Sequence, residues 1–201
     1  SRLAARQMLS FGGTVAVTGF LEFLTGSIDT LAVGRYVGTA GLGQYSRATL
    51  LVTLPVENAT TATARVLLPS LSRVQADSDR FGRAVMIMIA MLAYVVVAPV
   101  AMIAAAAPSI VPIILGEGWT VAASVLPIVG AASGLVLLTQ NIGVAAEARG
   151  VVRLKFRIQV LALFTTCTMI AAVVVGGPTI TRFAVAWLLG EMARHTSYWI
   201  W

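Results

Sequence analysis

Charge is what this sequence has least of: Asp, Glu, Lys and Arg make up 11% of its 201 residues, against roughly 25% in a soluble globular domain. Water is therefore not its main solvent. Cysteine and histidine occur once each, as Cys167 and His195. A single thiol excludes a disulfide framework and a thiolate metal site, and Cys167 lies in the run Thr165-Thr166-Cys167-Thr168-Met169 as a small lipid- or core-facing side chain. His195 lacks the acidic and nucleophilic companions of a catalytic set, and no Walker loop, zinc-ligand spacing or Gly-x-Gly-x-x-Gly is present. The glycine-rich stretch Gly34 to Gly43 lacks the lysine of a phosphate loop and follows an apolar helix, which excludes an ATPase. The expectation is a protein that is not an enzyme, with no cofactor and no metal. No signal peptide is visible at Ser1, and the chain stops at Tyr198-Trp199-Ile200-Trp201 without a polar tail, so it reads as a fragment of a longer one.

What is present is hydrocarbon: 58% of residues are hydrophobic and the mean hydropathy is +0.90. In a bilayer the unit of structure is a helix of ~20 apolar residues, and about six such units fit here. The spans are expected at 8–33, 44–68, 81–107, 120–146, 156–175 and 179–201, giving an all-α integral membrane protein with one six-helix transmembrane bundle over residues 1–201. Glycines between Gly34 and Gly43 supply the positive φ of a tight turn, so the first two spans should form an antiparallel hairpin. In the polar connector after the second span, Ser78 or Asp79 is a candidate helix cap. Residues 108–119 are too few to cross and should lie at the interface, with Trp119 at headgroup depth. Gly176-Gly177-Pro178 stops the fifth span and restarts the chain for the sixth.

A formal net charge of +6 and a pI near 10.4 would suit nucleic acid, but the cations sit in short clusters between apolar stretches. That distribution encodes topology instead. Alternate connectors place Arg2, Arg6, Arg73, Arg80, Arg83, Arg149, Arg153, Lys155 and Arg157 on one side, with Arg35, Arg47 and Arg182 on the other. The first side is cytoplasmic by the positive-inside bias.

Polar groups inside the spans stand out because a charge at the bilayer centre costs about 2.5–3.5 kcal/mol on translocon scales. Counting outward from the turn near Thr39, Glu22 and Glu57 are nearly equidistant, and so are Asp29 and Arg47. Asp29 is thus expected to face Arg47, or to pair with Arg35 along its own helix; the pair either fixes the hairpin or lines a hydrated cavity. Glu22 and Glu57, at one depth, either share a proton as coupling-ion candidates or bond separately. Arg65 either snorkels to lipid phosphates or contacts a pyrophosphate. Gln140 and Asn141 suit interhelical hydrogen bonds, and the Gly34/Gly38 and Gly130/Gly134 spacings permit close helix approach. Pro55, Pro99 and Pro127 are candidate kinks.

Three segments carry a family resemblance. They are Asp29-x-Leu31-x-x-Gly34-Arg35-x-x-Gly38-x-x-x-Leu42-Gly43-x-Tyr45-Ser46, then Leu54-Pro55-x-x-Asn58 through Arg65-Val66-Leu67-Leu68-Pro69-x-Leu71-Ser72-Arg73-x-Gln75, then Leu115-Gly116-Glu117-x-Trp119. Their order and spacing, across Leu9 to Ala148, resemble the bacterial polysaccharide exporters and Wzx-type O-antigen flippases of the colanic-acid-exporter-like branch. These belong to the multidrug/oligosaccharidyl-lipid/polysaccharide (MOP) superfamily. Departures are Glu147-Ala148-Arg149-Gly150, where the family favours a small-Leu-Gly-Arg turn, and Glu57, where an uncharged residue is usual.

The resemblance implies a two-bundle, MATE-like transporter in the bacterial cytoplasmic (inner) membrane, with this chain as its second bundle and the first-half bundle as its missing partner. It implies movement of undecaprenyl-pyrophosphate-linked oligosaccharide to the outer leaflet by alternating access, for lipopolysaccharide or exopolysaccharide biosynthesis. Membrane lipid and the lipid-linked oligosaccharide are then its ligands, glycan-assembly enzymes are further candidate partners, and nucleic acid is not one. Arg35, Arg47 and Arg65 become candidates for the anionic headgroup, and Asp29, Asn58, Glu22 and Glu57 for sugar hydroxyls or a coupling cation. Two alternatives remain beside it. One is a cation-coupled multidrug exporter of the same superfamily, which would favour an acidic cavity. The other is a membrane glycosyltransferase or polymerase, which would need a large extramembrane catalytic loop that no connector here is long enough to supply.

Overall fold

The computed structural model describes the backbone of residues 2–74 and 76–200, with the side chains of residues 2–11, 56, 59–60, 63–64, 66–68 and 200 left out. Ser1, Gln75, Trp201 and the side chains of Arg2 and Arg6 therefore lie outside the described residues. What is described is helical, with no strand: α1 (Arg2–Thr25), α2 (Ile28–Tyr36), α3 (Thr39–Val74), α4 (Ser78–Leu115), α5 (Thr120–Ala148), α6 (Val152–Gly176) and α7 (Ile180–Ile200). Helix is the form the bilayer demands, because it satisfies every backbone N–H and C=O within the segment. Among the described residues, four stretches are long and apolar enough to cross: Gly12–Tyr36, Ser78–Leu115, Thr120–Ala148 and Val152–Gly176. The chain is an all-α integral membrane protein. α3 and α7 are not among these four and carry several charges each, Arg47, Glu57 and Arg65 on the first and Arg182, Glu191 and Arg194 on the second.

α5 is the axis of the bundle. It packs along α3 on one side, α4 on another and α7 on a third, while α6 joins α7 and α1 leans on α6. Half of the apolar window of α5 is buried, against 17% for α4. Small residues make this contact possible: a Cβ at Gly130 would stand 3.4 Å from Val100, and one at Gly134 would stand 3.4 Å from Val96, so α4 rides directly on the α5 backbone. At one end of the bundle Gln44 ties α3 to the start of α5, its Nε2 donating to the Gly118 carbonyl (2.8 Å) and its Oε1 accepting from the Ala122 amide (3.0 Å).

The structure departs from the sequence reading in several places. The first span is broken at Gly26-Ser27 into α1 and α2, and only α2 packs on α3. The turn that follows needs one glycine in the left-handed region, Gly38 (φ 93°); Gly34, Gly41 and Gly43 stay helical. Residues 108–115 do not form a separate interfacial segment, because α4 continues through Pro108 and Pro112 to end at Gly116 (φ 88°). A lone proline removes one N–H from a helix that neighbouring contacts can still hold together. The cap of α4 is Asp77, one residue before the expected pair, and its Oδ1 accepts from the amides of Asp79 (3.1 Å) and Arg80 (3.0 Å). Asn141 does not reach across helices; its Nδ2 donates to the Leu137 carbonyl of its own helix (2.8 Å).

Candidate functional site

Polar side chains fall into two groups, one sealed between helices and one on an open stripe of α3. The sealed group begins with Asp29 of α2, which is 2% exposed. Its Oδ2 accepts a hydrogen bond from the Oη of Tyr45 on α3, at 2.5 Å. On α7, Glu191 and Arg194 are buried together as an ion pair, with Nη2 and Oε2 2.5 Å apart. α2 packs against α7, so the buried carboxylates of Asp29 and Glu191 lie on touching helices. Gln159 of α6 donates to the Thr25 hydroxyl at the end of α1 (2.9 Å), again out of solvent. Thr139 Oγ1 and His195 Nδ1 stand 3.1 Å apart between α5 and α7.

A further junction involves α1, α5 and α6. The ammonium of Lys155 on α6 lies 3.0 Å from the Glu22 carboxylate of α1 and 2.7 Å from that of Glu147 on α5. One cation thus joins three helices. Its four-carbon stem crosses Gly143, where a Cβ would come within 3.0 Å of Lys155 Cε.

The open group is built on α3. Arg47, Asn58 and Arg65 are all exposed. At 3.6 residues per turn, the intervals from Arg47 to Asn58 and to Arg65 bring all three to within about 20° of one another around the axis. They form a single stripe, with Leu54 and Thr61 also exposed between them. Tyr45, Ala48 and Val52 occupy the opposite, buried face. Arg35 of α2 and Glu57 of α3 are exposed as well, and neither makes an ion pair among the described residues.

The expected juxtapositions are redrawn by this geometry. Asp29 meets Tyr45, not Arg47 or Arg35, because residues 45 and 47 point to opposite faces of α3. Glu22 meets Lys155 and not Glu57, because α1 packs on α6. Arg47, Arg65 and Asn58 do share one face, and Arg35 stands apart from them on α2. The sequence reading missed Tyr45, Lys155 and Gln159 as interhelical partners, and Glu191 with Arg194 as a buried ion pair within α7. For α7 the signal was present: Trp187, Glu191 and Arg194 recur at the three- and four-residue spacing of one helical face in an otherwise apolar run, where buried ionisable groups mark an inward-facing surface.

Comparison with known proteins identifies the family. A family described as polysaccharide biosynthesis protein matches residues 1–124. The chain belongs to that family. Among curated relatives, the polysaccharide biosynthesis segment is 23% identical over 169 residues to the lipopolysaccharide biosynthesis protein WzxC of Escherichia coli (strain K12), covering 84% of this chain and 34% of the relative. It is 25% identical over 151 residues to the teichuronic acid biosynthesis protein TuaB of Bacillus subtilis (strain 168), covering 75% of this chain and 31% of the relative. The chain spans about a third of the length of these relatives. No solved structure matches it. The resemblance to Wzx-type polysaccharide exporters therefore stands, and this member of the family is a multi-pass protein of the cytoplasmic membrane.

Proposed function

We propose that this chain is the second bundle of a transporter that carries undecaprenyl-pyrophosphate-linked oligosaccharide across the cytoplasmic membrane by alternating access. The observation that carries the reading is the exposed stripe of α3, with Arg47 and Arg65 at its ends and Asn58 between them. Eighteen residues of helix correspond to ~27 Å of rise, close to the ~30 Å thickness of the hydrocarbon core. The two guanidiniums thus stand near opposite faces of the bilayer. Each can take a diphosphate oxygen pair through its planar fork of donors, Arg65 on the cytoplasmic side and Arg47 on the outer one. Asn58, with both a donor and an acceptor, suits sugar hydroxyls on the way. Two isolated cations on an exposed face are costly in bare lipid, so the stripe is suited to a hydrated cavity facing the other bundle.

The relatives' names tie them to lipopolysaccharide and teichuronic acid biosynthesis, and the lipid-linked glycan assigned here follows that chemistry. The role is transport and not catalysis. Asp29 is better suited to holding α2 on α3 than to meeting cargo, since Tyr45 and burial enclose it. Of the carboxylates proposed for ion coupling, Glu22 is engaged by Lys155, whereas Glu57 is exposed beside Asn58 and open to a cation. That acid is also the one feature favouring the second reading, a cation-coupled multidrug exporter.

The test is a strain lacking its own copy, complemented with the full-length protein carrying Arg47→Gln and Arg65→Gln together. Lipid-linked sugar should accumulate in the cytoplasmic leaflet although the protein reaches the membrane. Unimpaired glycan export with reduced drug efflux would favour the multidrug reading and sink this one.

A further inference from the structure

A groove of about 310 Å³ opens at the cytoplasmic end of the bundle, between the start of α4 and the ends of α5 and α7. Its walls are apolar, with Val85, Met86 and Ile89 from α4 facing Ile142 from α5. Its mouth is polar: Arg149 lies at the end of α5, and Tyr198 and Trp199 line the α7 side. The shape and chemistry are those of a slot for one chain of a lipid, with a cation at headgroup depth.

Arg149 is held in position at this mouth. Its Nη2 donates to the Ser78 hydroxyl (3.0 Å) at the first turn of α4, and its guanidinium carbon lies 5.4 Å from the centre of the Phe81 ring. Neither partner is an anion, and no carboxylate comes within 4.0 Å of it among the described residues. The nearby acids are otherwise engaged or unpaired: Asp77 is held by Arg80 at 3.1 Å and Glu147 by Lys155 at 2.7 Å, while Asp79 is exposed and outside any ion pair. Arg83 and Arg153 are further exposed cations at this end. A guanidinium oriented by a hydroxyl and a ring, lacking a counter-charge, retains donors for a phosphate. Basic pockets between helices on the cytoplasmic side are where anionic headgroups bind.

We infer that this groove binds an anionic phospholipid of the inner leaflet, its phosphate on Arg149 and one acyl chain along Met86, Ile89 and Ile142. A free phosphate would leave the apolar walls unoccupied, which is why the proposal is a lipid. The groove is lined by no residue of α3, so the inference does not rest on the proposed cargo stripe.

The experiment uses the full-length protein purified in detergent, titrated with phosphatidylglycerol or with phosphatidylcholine of the same acyl chains, with bound lipid counted by native mass spectrometry and unfolding followed thermally. Phosphatidylglycerol should bind and raise the melting temperature, and phosphatidylcholine should do so at least about tenfold more weakly. Arg149→Gln should abolish that difference and Arg149→Lys should restore part of it. Met86→Trp, which fills the slot and leaves Arg149 in place, should reduce phosphatidylglycerol binding without changing the melting temperature of the lipid-free protein. Equal binding of the two lipids, an undiminished phosphatidylglycerol preference in Arg149→Gln, or preferential binding of a polyprenyl phosphate at the same groove would each overturn the assignment.

Discussion

Tyr45 and Arg47 stand two residues apart on α3, yet Tyr45 is fully buried against Asp29 while Arg47 is exposed on the opposite stripe. The same helix therefore presents one face that joins it to its neighbours and one that leaves its polar groups free. On the joined side Tyr45 reaches α2, Gln159 reaches α1, and Lys155 reaches both α1 and α5, while Glu191 and Arg194 pair within α7. In hydrocarbon such contacts are worth about 1–2 kcal/mol each or less, so their main consequence is geometric: they fix which helix meets which. On the open side the arginines have no protein partner among the described residues, which keeps their donors available to something that comes and goes.

That contrast can be broken most severely at α7. Replacing Glu191 with Leu leaves the guanidinium of Arg194, 6% exposed, without its counter-charge. The expected loss is about 3–5 kcal/mol, because a buried ion without its partner retains the full desolvation cost. Adding Arg194→Met should recover most of that stability, since an apolar pair of similar volume is often neutral or better. Thermal unfolding of the single and double variants in detergent measures both, and a double variant no more stable than the single would contradict the pairing. A smaller effect is expected at the α2–α3 contact. Tyr45→Phe removes the hydroxyl that Asp29 accepts from, at a cost of about 1–3 kcal/mol for the unsatisfied buried acceptor. The same change should leave lipid-linked sugar export less affected than it leaves stability.

Close approach offers a comparison of similar size. A Cβ at Gly190 of α7 would lie 2.6 Å from the Oγ1 of Thr166 on α6, whereas one at Gly43 of α3 meets nothing within 4 Å. Gly190→Ala should therefore destabilise by about 1–3 kcal/mol through overpacking. Gly43→Ala should instead stabilise by up to about 1 kcal/mol through helix propensity. Equal melting temperatures for the two variants would mean that α6 and α7 do not touch as described.

The membrane character was legible from the sequence because it depends on composition and run length, which are additive along the chain. The α3 stripe was also within reach, since Arg47, Asn58 and Arg65 lie on one helix and their alignment follows from its period. The partners of Asp29 and Glu22 were not. Counting outward from a turn assumes that consecutive spans pair, and the break at Gly26-Ser27 lets α2 stay with α3 while α1 moves to α6. Lys155 was read as a topological charge in a connector, which its place three residues into α6 allowed; only the tertiary fold brings Glu22 and Glu147 to it. Long-range choice of neighbour is a property of packed surfaces, and a single sequence records the surfaces without recording which ones meet.

The smallest stability change should come from the stripe itself, and there the comparison becomes functional. Arg47→Gln and Arg65→Gln, together or singly, break no ion pair among the described residues and should shift unfolding by less than about 0.5 kcal/mol. Their effect should appear instead in the leaflet distribution of lipid-linked sugar, read by a membrane-impermeant label. If the two arginines receive the headgroup at opposite faces, Arg65→Gln should weaken loading from the cytoplasmic leaflet and Arg47→Gln should slow arrival at the outer one. Arg47→Lys and Arg65→Lys keep the charge but lose the bidentate fork, so partial recovery would indicate that the fork matters as well as the charge. Identical defects at both positions would mean that they act in one place, and a matching fall in thermal stability would mean that they belong with the sealed group and not the stripe.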